Sequence, residues 1–227
     1  MDNADFLLVK SVLNSGDVEA LSEISDDNHT DIRILKIIIY CMSNGSKHSV
    51  KIINYVITTF PFDVHLHRNT LLFNCIFYQD TDIFQYFVDL GLDIHSNIIY
   101  RNTEDNILKM TVLYSREIIE ILLKNGVDPN SDNGSAFILA VKRDKLNIVK
   151  LLIDFGVDVT VQDDIALCLA IRKRNFNLIK ILVDAGANAS NISEFIAKEK
   201  TETNRKKINY LIDIGVDPID LLQLWIE

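Results

Sequence analysis

Three histidines and one pair of aspartates are the side chains whose spacing could serve metal chemistry. His65 and His67 flank a single residue, and His95 lies about 30 residues after His65. A zinc site needs three or four such ligands arranged around one point. We therefore interpret the histidines as exposed loop residues. The Asp163-Asp164 pair could hold a cation only weakly, so we interpret it as part of a solvated loop and predict no metal site.

Signatures of catalysis are missing from the sequence. It contains no GxxxxGK[ST] phosphate loop, no GxGxxG dinucleotide fingerprint, no HExxH, no CxxC and no GxSxG. Each of these motifs places a nucleophile, a metal ligand or a backbone cradle where a reaction needs it. We predict that the chain is not an enzyme and uses no cofactor or small-molecule substrate. Recognition by its surface is then the chemistry left to explain.

The composition of the chain indicates which kinds of partner it can bind and where in the cell it is expected. The formal net charge is −9, which disfavours binding to phosphate backbones and makes nucleic acid an unlikely partner. Cys41, Cys75 and Cys168 lie far apart in apolar runs, as expected of reduced, buried thiols. The N-terminus lacks the basic start of a signal peptide, and the densest apolar run, 34–42, is too short to span a bilayer. We expect an intracellular, cytoplasmic protein without a membrane segment.

One phrase of apolar residues, glycine and aspartate recurs along the chain. Apolar residues at helical spacing precede each glycine and predict one buried helix face. The glycine is expected to end the helix, because a left-handed residue costs least without a Cβ. Another helical segment lies upstream, as at 135–144 and 165–174. The pattern predicts stacked units of helix, turn, helix and protruding loop. The marker glycines, spaced by 35, 30, 30 and 29 residues, are Gly91, Gly126, Gly156, Gly186 and Gly215.

These repeats resemble the ankyrin family, which has a glycine-plus-aspartate step after its second helix. The step is present as Gly91/Asp93, Gly126/Asp128, Gly156/Asp158 and Gly215/Asp217, with Asn188 replacing the aspartate in one copy. The TPLHxA opening of the family is eroded. Its histidine is replaced by Phe73, Leu108, Ile138 and Cys168. The resemblance therefore implies that the polar links made by this histidine are missing and that packing holds the stack.

The resemblance implies an all-α fold, a solenoid of about six to seven stacked helix-turn-helix units with short hairpin-like loops. We expect a single domain over 1–227, with inserts at 43–49 and 96–104. A capping helix at 218–227, with Trp225 packed on the last repeat, is expected to close the stack. The remaining parts are a degenerate N-terminal cap repeat at 4–30 and repeats at 31–66, 69–100, 104–132, 134–161, 164–190 and 192–217.

The resemblance also implies where a partner would bind. Ankyrin partners usually contact the protruding loops and the exposed end of each first helix. The matching positions here are Phe77, Tyr78, Val112, Leu113, Tyr114, Lys142, Arg143, Arg172, Lys173 and Arg174. Their order predicts a groove that is apolar near the middle and basic toward the C-terminal end, suited to an acidic segment. In a plainer interpretation, Phe77 and Tyr78 pack under the 96–104 insert and the basic residues are solvated helix ends.

These features predict a monomeric protein–protein interaction module or adaptor that binds a partner protein of unknown identity. A structural or virion-associated assembly component is the alternative. The Asn- and Ile-rich composition and eroded repeats resemble divergent ankyrin-repeat proteins of large DNA viruses, mimivirus-like ones above all. That resemblance implies a host protein as partner and the host cytoplasm as the place of action.

Overall fold

The computed structural model describes residues 3–23, 30–100, 103–173, 175–188 and Tyr210. Its contacts divide the chain into two compact units, residues 1–125 and 126–227. Apart from Tyr210, the predicted repeat at 192–217 and the predicted helix at 218–227 lie outside the described residues. No described helix is both long and apolar enough to cross a membrane.

The first unit is built from helices that pack in the order of the chain. Helix α2 packs on α3 and α4, α4 on α5, α3 and α7 on α5, and α6 on α7. Three helix pairs therefore form successive layers, as the repeat pattern predicts. The elements are α1 (Asn3–Ser15), a 3-10 helix (Val18–Glu23), α2 (Thr30–Asn44), α3 (Ser49–Thr59), α4 (Arg68–Tyr78), α5 (Thr81–Asp89), α6 (Ile107–Thr111) and α7 (Arg116–Lys124).

Both inserts contribute described residues to this unit. In the 96–104 insert, β1 (Ile98–Tyr100) pairs antiparallel with β2 (Thr103–Asp105). Its residue Ile98 is fully buried, and β1 packs on α4. The 43–49 insert connects α2 and α3 and reaches back to the start of the chain, because Ser46 Oγ donates to the Leu13 carbonyl at 2.9 Å.

The second unit continues the same arrangement. Its helices are α8 (Ser131–Lys142), α9 (Leu146–Asp154), α10 (Val161–Arg172) and α11 (Phe176–Asp184). Helix α8 packs on α9 and α10, and α10 packs on α11. Fully buried side chains recur in all four helices at Phe137, Leu152, Leu167 and Leu182. A single pair exposes such faces to water, so each pair depends on its neighbour for burial.

In the described layers that contain a marker glycine, this glycine ends the second helix. Gly91, Gly126, Gly156 and Gly186 all have φ between +81° and +98°. At α9 the amide of Gly156 donates to Ile153 at 2.9 Å and the next amide donates to Leu152 at 3.0 Å, which satisfies carbonyls at the helix end. The predicted glycine stops are confirmed at these four positions. Helix α3 has no such glycine, and it ends at Thr59. The next residue, Phe60, is extended and is followed by Pro61.

The aspartate of the repeated step folds the loop that follows. In four loops its Oδ1 accepts a hydrogen bond from the amide two residues further on, at 2.8 to 2.9 Å. A short carboxylate that hydrogen-bonds its own backbone in this way stabilises a turn. The four residues are Asp63, Asp93, Asp128 and Asp158. Hydrogen bonding to Ser96 lowers the pKa of Asp93, and hydrogen bonding to Thr160 lowers the pKa of Asp158.

Polar links fasten the loops of the stack, which corrects the expectation that packing alone holds it. The guanidinium of Arg68 donates to the carbonyls of Asp93 at 2.5 Å, Ser96 at 2.6 Å and Asn97 at 3.0 Å. These bonds fasten the loop after α5 to the start of α4. Carbonyls with such charged donors are better satisfied than those facing apolar side chains. The links are therefore made by residues outside the eroded TPLHxA motif.

An equivalent link in the second unit uses Asn130. Its Oδ1 accepts from the amide of Asp158 at 2.7 Å, and its Nδ2 donates to the carbonyl of Gly156 at 3.3 Å. The side-chain amide thus pairs with both a donor and an acceptor of the next loop. Two successive loops are held in register by this one residue.

A short left-handed stretch lies within the first turns of α8 and of α10, the first helices of the second unit. Asp132, Asn133 and Gly134 have positive φ, and so do Gln162, Asp163 and Asp164 one repeat later. Asp164 is 2% exposed, and its Oδ1 accepts from the amide of Asn188 at 2.9 Å. The interpretation of Asp164 as a solvated loop residue is therefore wrong, because its carboxylate is a buried acceptor for the next loop.

Alanine at Gly134 and at Gly156 separates backbone strain from steric conflict. Both glycines are left-handed, so each substitution is expected to lower the free energy of unfolding by about 1 kcal/mol. A Cβ at Gly134 would also lie 3.0 Å from Val161 Cγ1, whereas a Cβ at Gly156 meets nothing within 4 Å. We expect Gly134→Ala to be the more destabilising of the two in urea unfolding followed by circular dichroism. Equal losses would contradict this packing.

Acid should weaken the loop turn at Asp93. Because its folded pKa is lowered, the stabilisation is present above the ordinary value of 3.8 and is lost as the pH falls through the folded value. Asp93→Asn keeps an oxygen acceptor but cannot titrate. We therefore expect its Tm to fall less steeply than that of the parent chain as the pH is lowered from about 4.

The control for this acid titration is Asp17→Asn, which removes an exposed carboxylate from the same unit. Thermal unfolding at matched ionic strength gives the Tm of all three chains. An Asp93→Asn chain that loses Tm with acid as steeply as the parent would contradict a role for the ionised Asp93 carboxylate.

Candidate functional site

Four exposed apolar side chains form what we call the aromatic cluster of the first unit: Phe77, Tyr78, Leu113 and Tyr114. Their exposed fractions are 48%, 39%, 45% and 36%. The ring centroid of Phe77 lies 5.1 Å from Tyr78 in an edge-to-face contact and 6.1 Å from Tyr114 in a tilted contact. Phe77 also stacks on Phe73 at 6.0 Å. Two successive layers therefore contribute to one surface.

Helical periodicity explains why these side chains face solvent. In α4 the core positions are Leu71, Leu72, Cys75 and Ile76, so Phe77 and Tyr78 are the first residues beyond the buried face. Left-handed Gln79 then ends the helix, with φ +58°. Asp80 begins α5, its Oδ1 accepting from the Ile83 amide at 3.0 Å. Helix α4 therefore ends directly after these two side chains.

The prediction that Val112 contacts a partner is wrong, because its side chain is only 1% exposed. The core of α6 and the turn after it repeats that of α4, with Ile107, Leu108, Thr111 and Val112 buried. In this register Val112 matches Ile76, and the exposed pair is Leu113 and Tyr114. The sequence pattern had placed the exposed pair one residue too early in this layer.

Three predicted basic residues of the second unit are exposed at the ends of first helices. Lys142 and Arg143 lie at the end of α8, and Arg172 is the last residue of α10. They occupy the repeat positions that hold Phe77 and Tyr78 in α4. Cations at these positions also interact favourably with the helix dipole. Arg174, the remaining predicted contact, lies outside the described residues.

Lys173 is exposed, but its ammonium group is held by other residues of the chain, and its role as a partner contact stays a prediction. Its Nζ donates to the carbonyl of Lys142 at 2.6 Å and to Asp144 Oδ2 at 2.5 Å. Asp144 also accepts from Asn175 Nδ2 at 3.1 Å. The hydrogen bond from Lys173, followed by that from Asn175, lowers the pKa of Asp144. The ammonium group therefore joins two layers.

The histidine and cysteine side chains considered for metal or redox chemistry are described by their contacts and burial. His67 Nε2 lies 2.6 Å from Asp31 Oδ2, and its ring stacks on Phe62. Within the described ranges, no group of three His, Cys, Asp or Glu side chains could hold a metal ion. Cys41 and Cys75 are buried free thiols, as predicted, whereas Cys168 is partly exposed. Burial raises the pKa of Cys41 to about 12, which suppresses its reactive thiolate form.

A cleft beside Tyr78 was missed in the sequence analysis. It has a volume of about 440 Å³ and lies between the α2–α3 turn and the α4–α5 turn. Lys47 comes from the first turn, and Asp80 and Asp82 come from the second. These turns lie about one repeat apart in the chain, which is the signal that could have paired them. No single motif marks them, because the cleft arises from stacking.

Comparison with known families identifies the repeat type in part of the chain. Residues 106–193 match the family model described as ankyrin repeats (3 copies). This range contains the helix pairs α6–α7, α8–α9 and α10–α11. No curated protein matches the chain. The match and the mainly helical structure confirm the predicted fold class, an all-α chain with ankyrin repeats. Ankyrin repeats are generic modules of protein–protein interaction and are typically not enzymatic.

Substitution of the neighbouring residues Lys173 and Arg172 separates the effect of a hydrogen-bonded cation from that of an exposed one. Lys173→Met removes the link to Lys142 and Asp144, so we expect it to lower the free energy of unfolding by about 1 kcal/mol, a small value because water screens this partly exposed pair. Arg172→Met removes an exposed cation and should change it by less than about 0.5 kcal/mol. Urea unfolding of the two variants measures both values. If Arg172→Met is as destabilising as Lys173→Met, the engaged role of Lys173 is refuted.

Proposed function

We propose that this chain is a protein-interaction module whose first unit binds a partner protein through the aromatic cluster. The observation that carries the proposal is the contact between exposed rings from two layers, Phe77 and Tyr78 from one and Tyr114 from the next. Exposed aromatic side chains that group together supply large contact areas with little loss of conformational entropy. They are the residue types that most often dominate protein interfaces.

The fold does not require apolar side chains at these positions. In the second unit, the equivalent positions at the ends of α8 and α10 hold Lys142, Arg143 and Arg172, and both helices bury the same pattern of core residues. The helix pair therefore forms equally with aromatic or with basic residues there. The aromatic side chains at these positions stay 36–48% exposed, and recognition of a partner explains this exposure better than folding does.

The second unit supports a separate proposal about the chemistry of the partner. Lys142, Arg143 and Arg172 are exposed cations at successive helix ends, on a chain of net charge −9. Such a local excess of positive charge favours an acidic segment of a partner protein. Lys173 is left out of this surface, because its ammonium group is held by Asp144 and the Lys142 carbonyl.

The proposed setting is an intracellular one in which the module acts as a monomer on a host protein. Its support is compositional: the chain is rich in Asn and Ile and its repeats are eroded, a style similar to the ankyrin proteins of large DNA viruses. A self-assembling structural component is the second candidate. It is favoured by the exposed Leu7 on α1 and Ile32 on α2, which are 62% and 53% exposed. Light scattering at tens of micromolar separates a monomer from an assembly.

Substitution of Phe77 tests the aromatic cluster. Phe77→Ala removes the central ring without touching the core of α4, so we expect the fold to be retained. Partner recovery in quantitative affinity purification from the native cell should fall about tenfold or more, as expected when a central aromatic anchor is truncated. The measurement compares each recovered protein between the parent and variant baits.

The matched control is Leu66→Ala, which shortens a side chain that is 73% exposed in a loop of the same unit. A protein retained by the parent and by Leu66→Ala, but lost with Phe77→Ala, supports the proposal. Recovery that is the same for all three baits would refute the aromatic cluster as the binding surface. Circular dichroism of each bait verifies that all three are folded.

A further inference from the structure

The Asn44-Gly45 step in the turn after α2 combines the chemistry and the exposure that an intramolecular reaction needs. In an asparagine–glycine step, the glycine amide nitrogen can attack the carboxamide carbon of the asparagine, because the two close a five-membered ring and glycine has no side chain in the way. Both Asn44 and Gly45 are exposed. A Cβ built on Gly45 would meet nothing within 4 Å, so the ring has room to close.

The hydrogen bonds of this turn leave the attacking nitrogen free. Among the residues that the structure describes, none accepts a hydrogen bond from the Gly45 amide. The Asn44 Nδ2 donates to the Tyr40 carbonyl at 2.7 Å, which places the carboxamide at the very end of α2. Helix ends open at little cost, so the backbone at Asn44 can reach the conformation in which the ring closes.

The two other asparagine–glycine steps of the chain serve as internal comparisons. Gly134 is buried, and its amide donates to the Asn130 carbonyl at 3.1 Å, so attack on Asn133 must wait until the backbone opens locally. Asn125-Gly126 ends α7, where backbone amides donate to carbonyls of the last helical turn. The step after α2 is therefore the one whose surroundings oppose the reaction least.

We propose that Asn44 is a self-modification site that converts to isoaspartate and aspartate in the folded chain. The Gly45 nitrogen forms a bond to Asn44 Cγ, the bond from Cγ to Nδ2 breaks, and ammonia leaves with the proton of the Gly45 amide. Water then opens the succinimide ring. Opening at the main-chain carbonyl gives isoaspartate, and opening at Cγ gives aspartate. Water is the only co-reactant, so the reaction is independent of the proposed function.

The conversion loosens the attachment of α1. Segment 46–51, directly after the step, fastens the end of α1, because Ser46 Oγ donates to the Leu13 carbonyl at 2.9 Å and Lys51 Nζ donates to the Gly16 carbonyl at 2.8 Å. Isoaspartate adds a methylene group to the backbone immediately before this segment and so displaces both donors. Either product also replaces the side-chain donor at the end of α2 with a carboxylate, and negative charge is unfavourable at a helix C-terminus.

Mass spectrometry of the full chain during incubation at neutral pH tests the site. Deamidation adds about 1 Da to a peptide, and electron-transfer fragmentation assigns the residue and distinguishes isoaspartate from aspartate. Trypsin releases Asn44 in peptide 37–47 and Asn133 in peptide 125–142. In the folded chain we expect Asn44 to convert about tenfold faster than Asn133, or more, because Asn133 reacts only after local opening. In urea the two steps should react at similar rates.

Two results would overturn the proposal. The first is a folded chain in which Asn44 converts no faster than Asn133. The second is a difference of the same size in urea, because the difference would then come from the neighbouring sequence and not from the fold.

The matched control for the effect on α1 is Asn44→Gln, which keeps a carboxamide on a side chain too long to close the five-membered ring. After incubation, the parent chain should lose protection against hydrogen exchange at the amides of residues 12–16, whereas the Asn44→Gln chain should keep it. Unchanged exchange in a parent chain that has converted at Asn44 would overturn the loosening of α1.

Discussion

The structure depends on one constraint: a single helix pair cannot bury its own apolar faces. In each first helix of the layers from α4 onward, the buried side chains recur with the same spacing, as in Leu71, Leu72, Cys75 and Ile76. The same pattern returns at Ala136, Phe137, Ala140 and Val141. These faces leave water only when the next pair lies against them, so the hydrophobic effect acts mainly between neighbours. The order of the layers then follows the order of the chain.

This constraint also determines which side chains are left for function. The two positions after the buried set point away from the neighbouring layers and contribute little to the core. The chain uses them in different ways, with rings at Phe77, Tyr78 and Tyr114 in the first unit and cations at Lys142 and Arg172 in the second. Because the fold accepts either type, folding alone does not decide which residues occupy these positions.

The predictions from sequence were most successful where a residue type favours a particular backbone conformation. A glycine after an apolar helix predicted a left-handed stop, and φ values such as +82° at Gly156 confirm it. They failed where the outcome depends on partners from another layer. Val112 was placed on the surface because the eroded opening of its repeat hid the register. The hydrogen bonds of Lys173 were not predicted, because nothing near it in sequence reveals that its ammonium group reaches Lys142 and Asp144, about 30 residues earlier.

Amide hydrogen exchange on an Ile38→Ala variant tests the central claim most directly. Ile38 is fully buried in α2, and its truncation should cost about 2–5 kcal/mol. If burial acts between neighbouring layers, exchange should rise most in α2 and α3, less in α4 and α5, and least in α7. An equal rise in every helix of the first unit would show one undivided core and would contradict the account.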